Sequence, residues 1–166
     1  GVSGRGSPAG VKVMRNPSSK YWVLVADSGN ARILEMRRTP YEFREIHKLA
    51  SETQHKLTQD LVSDGGGRSF HVQGPASHSK EQRSNAHDLA EQEFTRKLID
   101  KLELAKNMNA FDYLMVIADP RTLGRLRPNM SKALTARVSD EWNLDLAKIP
   151  LKPLEKKLKD RLGWSI

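Results

Sequence analysis

The sequence predicts an α/β fold, a mixed β-sheet with flanking helices, and three observations carry that prediction. Two adjacent β-rich runs near the start are separated by turn chemistry, which pairs strands antiparallel. A long segment in the middle of the chain carries apolar residues at helical spacing. Beyond it, Tyr113–Ala118 is apolar at every position, as expected of a central strand covered on both faces. Antiparallel strands first and β–α alternation later belong to a mixed sheet.

Taken in order, Tyr21-Trp22-Val23-Leu24-Val25-Ala26-Asp27 is rich in β-branched and aromatic residues and predicts the first strand. Ser28-Gly29-Asn30 is turn chemistry that Asp27 can open, and Ala31–Met36 follows as the second strand of a hairpin. Glu42–Ala50, with Phe43 and Ile46, predicts a third antiparallel strand, and Thr53–Leu61 a short helix or an irregular connection. Next comes Asp64-Gly65-Gly66-Gly67-Arg68-Ser69-Phe70, followed by the apolar-poor run His71–Ser79. Structureless loops beyond ~12 residues are uncommon in compact domains and are mostly functional or disordered, so binding is expected here.

Ser79-Lys80-Glu81-Gln82 has the form of a capping box and predicts a helix start. Ala86, Leu89, Ala90, Phe94, Leu98, Leu102 and Ala105 then recur as one buried stripe, up to a helix end near Asn107–Asn109. After the central strand, Asp119 caps and Pro120 opens a short helix to about Arg127. Asn129 or Ser131 caps another through about Val138, with Ala133, Leu134 and Val138 facing inward. Asn143–Ile149 reads as the last strand, and Leu151, Leu154, Leu158 and Leu162 predict a terminal basic amphipathic helix.

The 166 residues suit one domain over residues 20–166, preceded by Gly1–Ser19, a Gly-, Ser- and Pro-rich flexible arm or expression remnant. No Cys is present, which excludes a disulfide framework and a thiolate zinc site. The longest apolar run falls far short of the ~20 residues that span a bilayer, so a cytoplasmic chain without a membrane span is expected. Net charge is +8, from 28 Lys and Arg against 20 Asp and Glu. Long-range attraction of that sign favours polyanions: RNA, ribosomes or anionic membrane surfaces.

Arg68 can grip phosphate bidentately, and the amides around Gly65, Gly66, Gly67 and Ser69 can approach an anion closely, since glycine interposes no side chain. The structural alternative is that Arg68 pairs with Asp64 and shapes the loop. Arg121 and Arg125, with Arg127, form one basic face for RNA backbone, and Lys152, Lys156, Lys157, Lys159 and Arg161 form another. Solvated helix faces are the bland reading of both, and neither carries the interleaved aromatics that stack on bases. Ser69, His78 and Asp64 are the catalytic candidates, without a nucleophile-elbow context. His71, His78 and His87 match no metal-ligand spacing, so neither metal nor cofactor is expected. Asp119 ends the central strand where open α/β sheets place ligands, although capping alone explains it.

Trp22-Val23-Leu24-Val25-Ala26-Asp27, Ala31-Arg32, Ser63-Asp64 with Gly67-Arg68-Ser69-Phe70, His78, His87, Glu91 with Phe94, Phe111-Asp112, Ala118 with Pro120, Leu123-Gly124 and Ser131 with Leu134 together resemble the bacterial host-attachment protein family, from about Tyr21 to about Leu158. That family is similar to the middle domain of archaeal and eukaryotic peptide-chain release factors and of Pelota, which implies a ribonuclease-H-like fold. In release factors a Gly-Gly-Gln loop lies just before a long helix, and the Gly65–Ser79 stretch occupies the comparable place. Here Gly65-Gly66-Gly67 is followed by Arg68, and Gln73 precedes Gly74, so no water-positioning glutamine carries over. The leading expectation is therefore a non-enzymatic, ribosome- or RNA-associated binding module. A hydrolase using the glycine-rich loop and a protein-partner adaptor affecting attachment to host cells are the alternatives.

Overall fold

Asp27 sets the first hairpin by turning the chain on its own carboxylate. Its Oδ1 accepts from the amides of Gly29 at 3.0 Å and Asn30 at 2.7 Å, so the turn is closed by contacts within three residues. Around this hairpin the computed structural model describes residues 19–38, 41–57, 59 and 76–163. The strands are β1 (Tyr21–Ala26), β2 (Asn30–Arg38), β3 (Tyr41–Ala50), β4 (Tyr113–Ala118) and β5 (Val138–Asn143). The helices are α1 (residues 52–57), α2 (Ala76–Asn107), α3 (Pro120–Leu126), α4 (Lys132–Arg137) and α5 (Leu151–Leu162), with a 3₁₀ turn at Arg127–Asn129.

One sheet runs in the order β3-β2-β1-β4-β5. β1–β2 and β2–β3 pair antiparallel, whereas β4 is parallel to β1 and β5 to β4. The predicted mixed α/β sheet is thus present, and β1, β3, β4 and β5 all end at the same sheet edge. β1 is buried along its whole length because helices cover both faces. On one side Leu154, Leu158 and Leu162 of α5 pack onto Val23, Val25 and Met115. On the other, Phe94, Leu98 and Leu102 of α2, with Leu123 and Leu126 of α3, pack onto Trp22, Leu24 and Val116. Each buried leucine contributes about 1.5–3 kcal/mol, so these stripes hold the helices in place more than helix propensity does.

Several expectations hold and several need correction. The third strand forms as Tyr41–Ala50, and Asp119 caps α3 with Pro120 in its first turn. Between the two proposed caps of α4, Ser131 acts, accepting from the Leu134 amide. α2, however, is already helical at Ala76, three residues before the capping box. Serine inside a helix costs well under about 1 kcal/mol relative to alanine, so Ser79 does not have to mark a helix start. Within its stripe Leu89 is 65% exposed, while Ile99 is buried instead. Ala133 also faces outward.

The last strand is Val138–Asn143, and Leu144, Leu146 and Ile149 reach the core from irregular chain. As an edge strand β5 needs only one paired side, so its polar Ser139, Asp140 and Glu141 carry no apolar alternation to read. Gly1–Ser18 and the Asp64–Phe70 stretch lie outside the described residues.

Candidate functional site

Open α/β sheets collect ligands beyond the carboxyl ends of their strands. Here that edge carries the β1–β2 turn, α1 after β3, and α3 after β4, with α2 packed across β1 and β4. Two polar networks tie these pieces together.

The first joins α1, the turn and α2. Ser51 caps α1 through its hydroxyl to the Gln54 amide at 3.0 Å, and the Ser51 amide donates to the Gly29 carbonyl at 2.8 Å. A Cβ on Gly29 would stand 3.2 Å from the Gln54 side chain, which would have to shift by a few tenths of an ångström to admit it. Gln54 Nε2 reaches the Ser28 hydroxyl at 3.4 Å, and Gln54 Oε1 lies 2.8 Å from His87 Nδ1 on α2. An amide oxygen only accepts, so with the amide in this orientation the His87 proton sits on Nδ1.

The second network joins α3 to α2. Arg121 donates from Nε to Glu91 at 3.1 Å and from Nη2 to Asp88 at 3.0 Å. Arg125 Nη2 donates to the same Asp88 oxygen at 3.2 Å. Arg125 Nε lies 2.8 Å from Glu91 Oε1, within ion-pair reach but at an angle that makes no hydrogen bond. The Glu91 side chain is only 9% exposed, and the two guanidinium groups stand against its carboxylate. Its hydrogen bond and charge in turn hold the Arg121 pKa above the ordinary value. Asp119 accepts from the Thr122 hydroxyl at 2.6 Å and from its amide at 3.3 Å, a complete capping arrangement.

Arg121 and Arg125 therefore stand as fastened side chains. A phosphate binding there competes with two carboxylates already in place, and Arg127 is likewise held by Glu141 at 2.6 Å. Asp64, Gly65, Gly66, Gly67, Arg68 and Ser69 lie outside the described residues, as does the side chain of His78. By chain order Asp64–Ser69 fall between α1 and α2, whose Gln54 and His87 the first network joins, while His78 belongs to the first turns of α2. No group of His, Asp or Glu among the described residues has the arrangement of a metal site, and none of the described helices is long and apolar enough to cross a membrane.

A cleft of about 680 Å³ opens at the same edge on the α5 side, lined by Arg32, Glu45, Lys48, Ala147, Lys148 and Leu151 among others. Arg32 is 6% exposed and fully engaged. Its Nε and Nη2 meet Glu45, each at 2.9 Å, and Nη1 donates to the carbonyls of Ala147 and Ile149. Arg32 thus ties the chain after β5 to β2 and β3. Sequence reasoning missed this pairing and those of Glu91 and Gln54. The one available signal was a charged residue inside an apolar period, as at Arg32 and Glu91.

A search of curated proteins by sequence finds no match. Among solved structures, the chain is similar to one from the PilM-PilN type IV pilus biogenesis complex, at 14% identity and a TM-score of 0.40, covering 89% of this chain and 46% of that one. It is also similar to the ethanolamine utilization protein EutJ from Carboxydothermus hydrogenoformans, at 13% identity and a TM-score of 0.36, covering 84% of this chain and 49% of that one. The chain spans about half the length of both. The family described as "Protein required for attachment to host cells" matches residues 22–158, taking in all of the sheet but Tyr21 and the buried stripe of α2. The chain belongs to that host-attachment family.

Proposed function

We propose that this host-attachment protein is an intracellular, non-enzymatic binding module that associates with ribosomes or RNA through the Arg68 stretch, and that its effect on attachment is indirect. The observation that carries the reading is that the two helices on either side of that stretch in the chain are tied to each other and to the ligand-collecting edge of the sheet. α1 is held to the β1–β2 turn, and α2 is held to α1 by His87–Gln54 and to α3 by Arg121 and Arg125. A glycine-rich binding segment gains from such anchorage, since rigid ends reduce the ordering entropy lost on binding. The strand order β3-β2-β1-β4-β5, with an antiparallel first half and parallel second half, supports a ribonuclease-H-like sheet of the release-factor kind. Co-sedimentation with purified ribosomes across a salt series tests the reading. Wild type pellets at low salt, and Arg68→Ala weakens binding and flattens the salt slope by about one unit, the loss of one phosphate contact. Equal pelleting of both proteins would remove the Arg68 stretch from the interface.

A further inference from the structure

The charge of the chain is concentrated in two short stretches. Residues 19–147 hold nineteen basic and eighteen acidic side chains, a net of only +1. Residues 148–161 hold six basic and two acidic side chains, a net of +4 and half of the total +8. Arg5, Lys12 and Arg15 supply the remaining +3 in the first 18 residues. Before residue 148, Arg32, Arg121, Arg125 and Arg127 meet carboxylates, while other cations such as Arg44, Lys97 and Lys132 are exposed singly. What residues 148–161 add is density, with Lys148, Lys152, Lys156 and Lys157 exposed and without an acidic partner among the described residues.

We infer that the exposed face of α5, continued by Lys148, is the surface on which this protein takes the phosphate backbone of RNA without reading sequence. Lys152 and Lys156 stand four residues apart, as do Lys157 and Arg161, giving like charges about 6 Å apart along the axis. Like charges at that spacing disfavour an isolated helix, so the rows have no structural return of their own. The opposing acids are few. Glu155 is turned inward to the Phe43 amide at 2.9 Å and lies 3.9 Å from Lys159, leaving Asp160 as the exposed acid. Arg161 is set in place over the Trp142 ring at 5.0 Å.

The same geometry favours nucleic acid over a membrane. An interfacial helix needs an apolar face to bury among lipids. The apolar face of α5 is already spent on the core, with Leu154, Leu158 and Leu162 buried against the sheet. What remains outside is charge, the feature that displaces counterions from a polyphosphate.

This inference rests on the RNA-associated reading, and the test separates the two. Labelled single-stranded RNA is titrated by fluorescence anisotropy across a salt series with wild type, with Lys148→Gln/Lys152→Gln/Lys156→Gln/Lys157→Gln, and with the matching four-Arg variant. The Gln variant loses at least tenfold in affinity, and its salt slope is shallower by about 0.7 per lysine removed, while the Arg variant binds as wild type does. The four side chains are exposed, so both variants keep the wild-type melting temperature. RNA binding and salt slope unchanged in the Gln variant would overturn the inference. Ribosome pelleting that fails in Arg68→Ala and persists in the Gln variant would overturn it and leave the loop reading standing; the reverse pattern supports α5 and removes the loop. Wild type that ignores RNA yet sediments with phosphatidylserine vesicles would also overturn it.

Discussion

Glu91 shows how much of the candidate site hangs on one carboxylate. It is nearly buried and receives Arg121, while Arg125 lies within ion-pair reach, so removing it leaves both guanidinium groups with only the half-exposed Asp88 as an acidic partner. Breaking a fully buried pair costs about 3–5 kcal/mol. Arg121 is 60% exposed and can return to water, so for Glu91→Ala we expect about 1–3 kcal/mol from the urea midpoint. Arg121→Ala should cost under about 1 kcal/mol, because Glu91 keeps Arg125 beside it. An equal loss in both variants would mean that the carboxylate is not the hub. Asp119→Ala should cost about 1 kcal/mol in thermal unfolding and Asp119→Ser much less, since both hydrogen bonds it accepts belong to a helix cap. Asp119, Asp27 and Ser131 were readable from sequence because their partners lie within three residues. Glu91 and Arg121 are thirty positions apart, and no local rule connects them.

At the scale of elements, α2 and α5 were readable from their apolar stripes, whereas β5 was not. A polar edge strand lacks the alternation that betrays a half-buried one, and the apolar run after it imitates a strand while serving as core-filling loop. α4 depends on a tether of the same invisible kind. Glu103 on α2 accepts from the Ser131 amide and hydroxyl, each at 2.9 Å, and pairs with Lys106 at 3.2 Å. Burial works to raise the Glu103 pKa, but the Ser131 hydrogen bonds and Lys106 outweigh it, and the value sits below the ordinary one. The folded state therefore prefers the carboxylate. Its stabilisation is full above the unfolded-state pKa of about 4.3 and is lost as pH falls through the lower folded-state value. Glu103→Gln should accordingly flatten the stability profile below about pH 5 relative to wild type. Superimposable acid limbs in urea titrations of the two proteins would show that the tether contributes nothing.

Across the whole molecule, the sheet type followed from the order of strand and helix signals, and the polyanion preference from the summed charge. Which cations are already occupied could not be read, because Arg32, Arg121, Arg125 and Arg127 find carboxylates only once the chain is folded. The strand order also ranks stability within the sheet. β1 and β4 are flanked by strands on both sides and covered by helices on both faces, so opening them requires dismantling the core. β3 is an edge among the described strands, where amides facing outward have no strand partner among the described residues, although the Phe43 amide donates to Glu155 of α5. Native-state hydrogen exchange should therefore find Val23–Val25 and Met115–Ile117 exchanging only through global unfolding, with the outward amides of β3 several orders of magnitude faster. Phe43 should be the slow exception on that edge. Glu155→Ala should bring its amide into line with its neighbours while Val23–Val25 slow or quicken only with the global stability. Exchange in β1 as fast as in β3, or a Phe43 amide indifferent to Glu155, would mean that α5 does not seal the sheet edge.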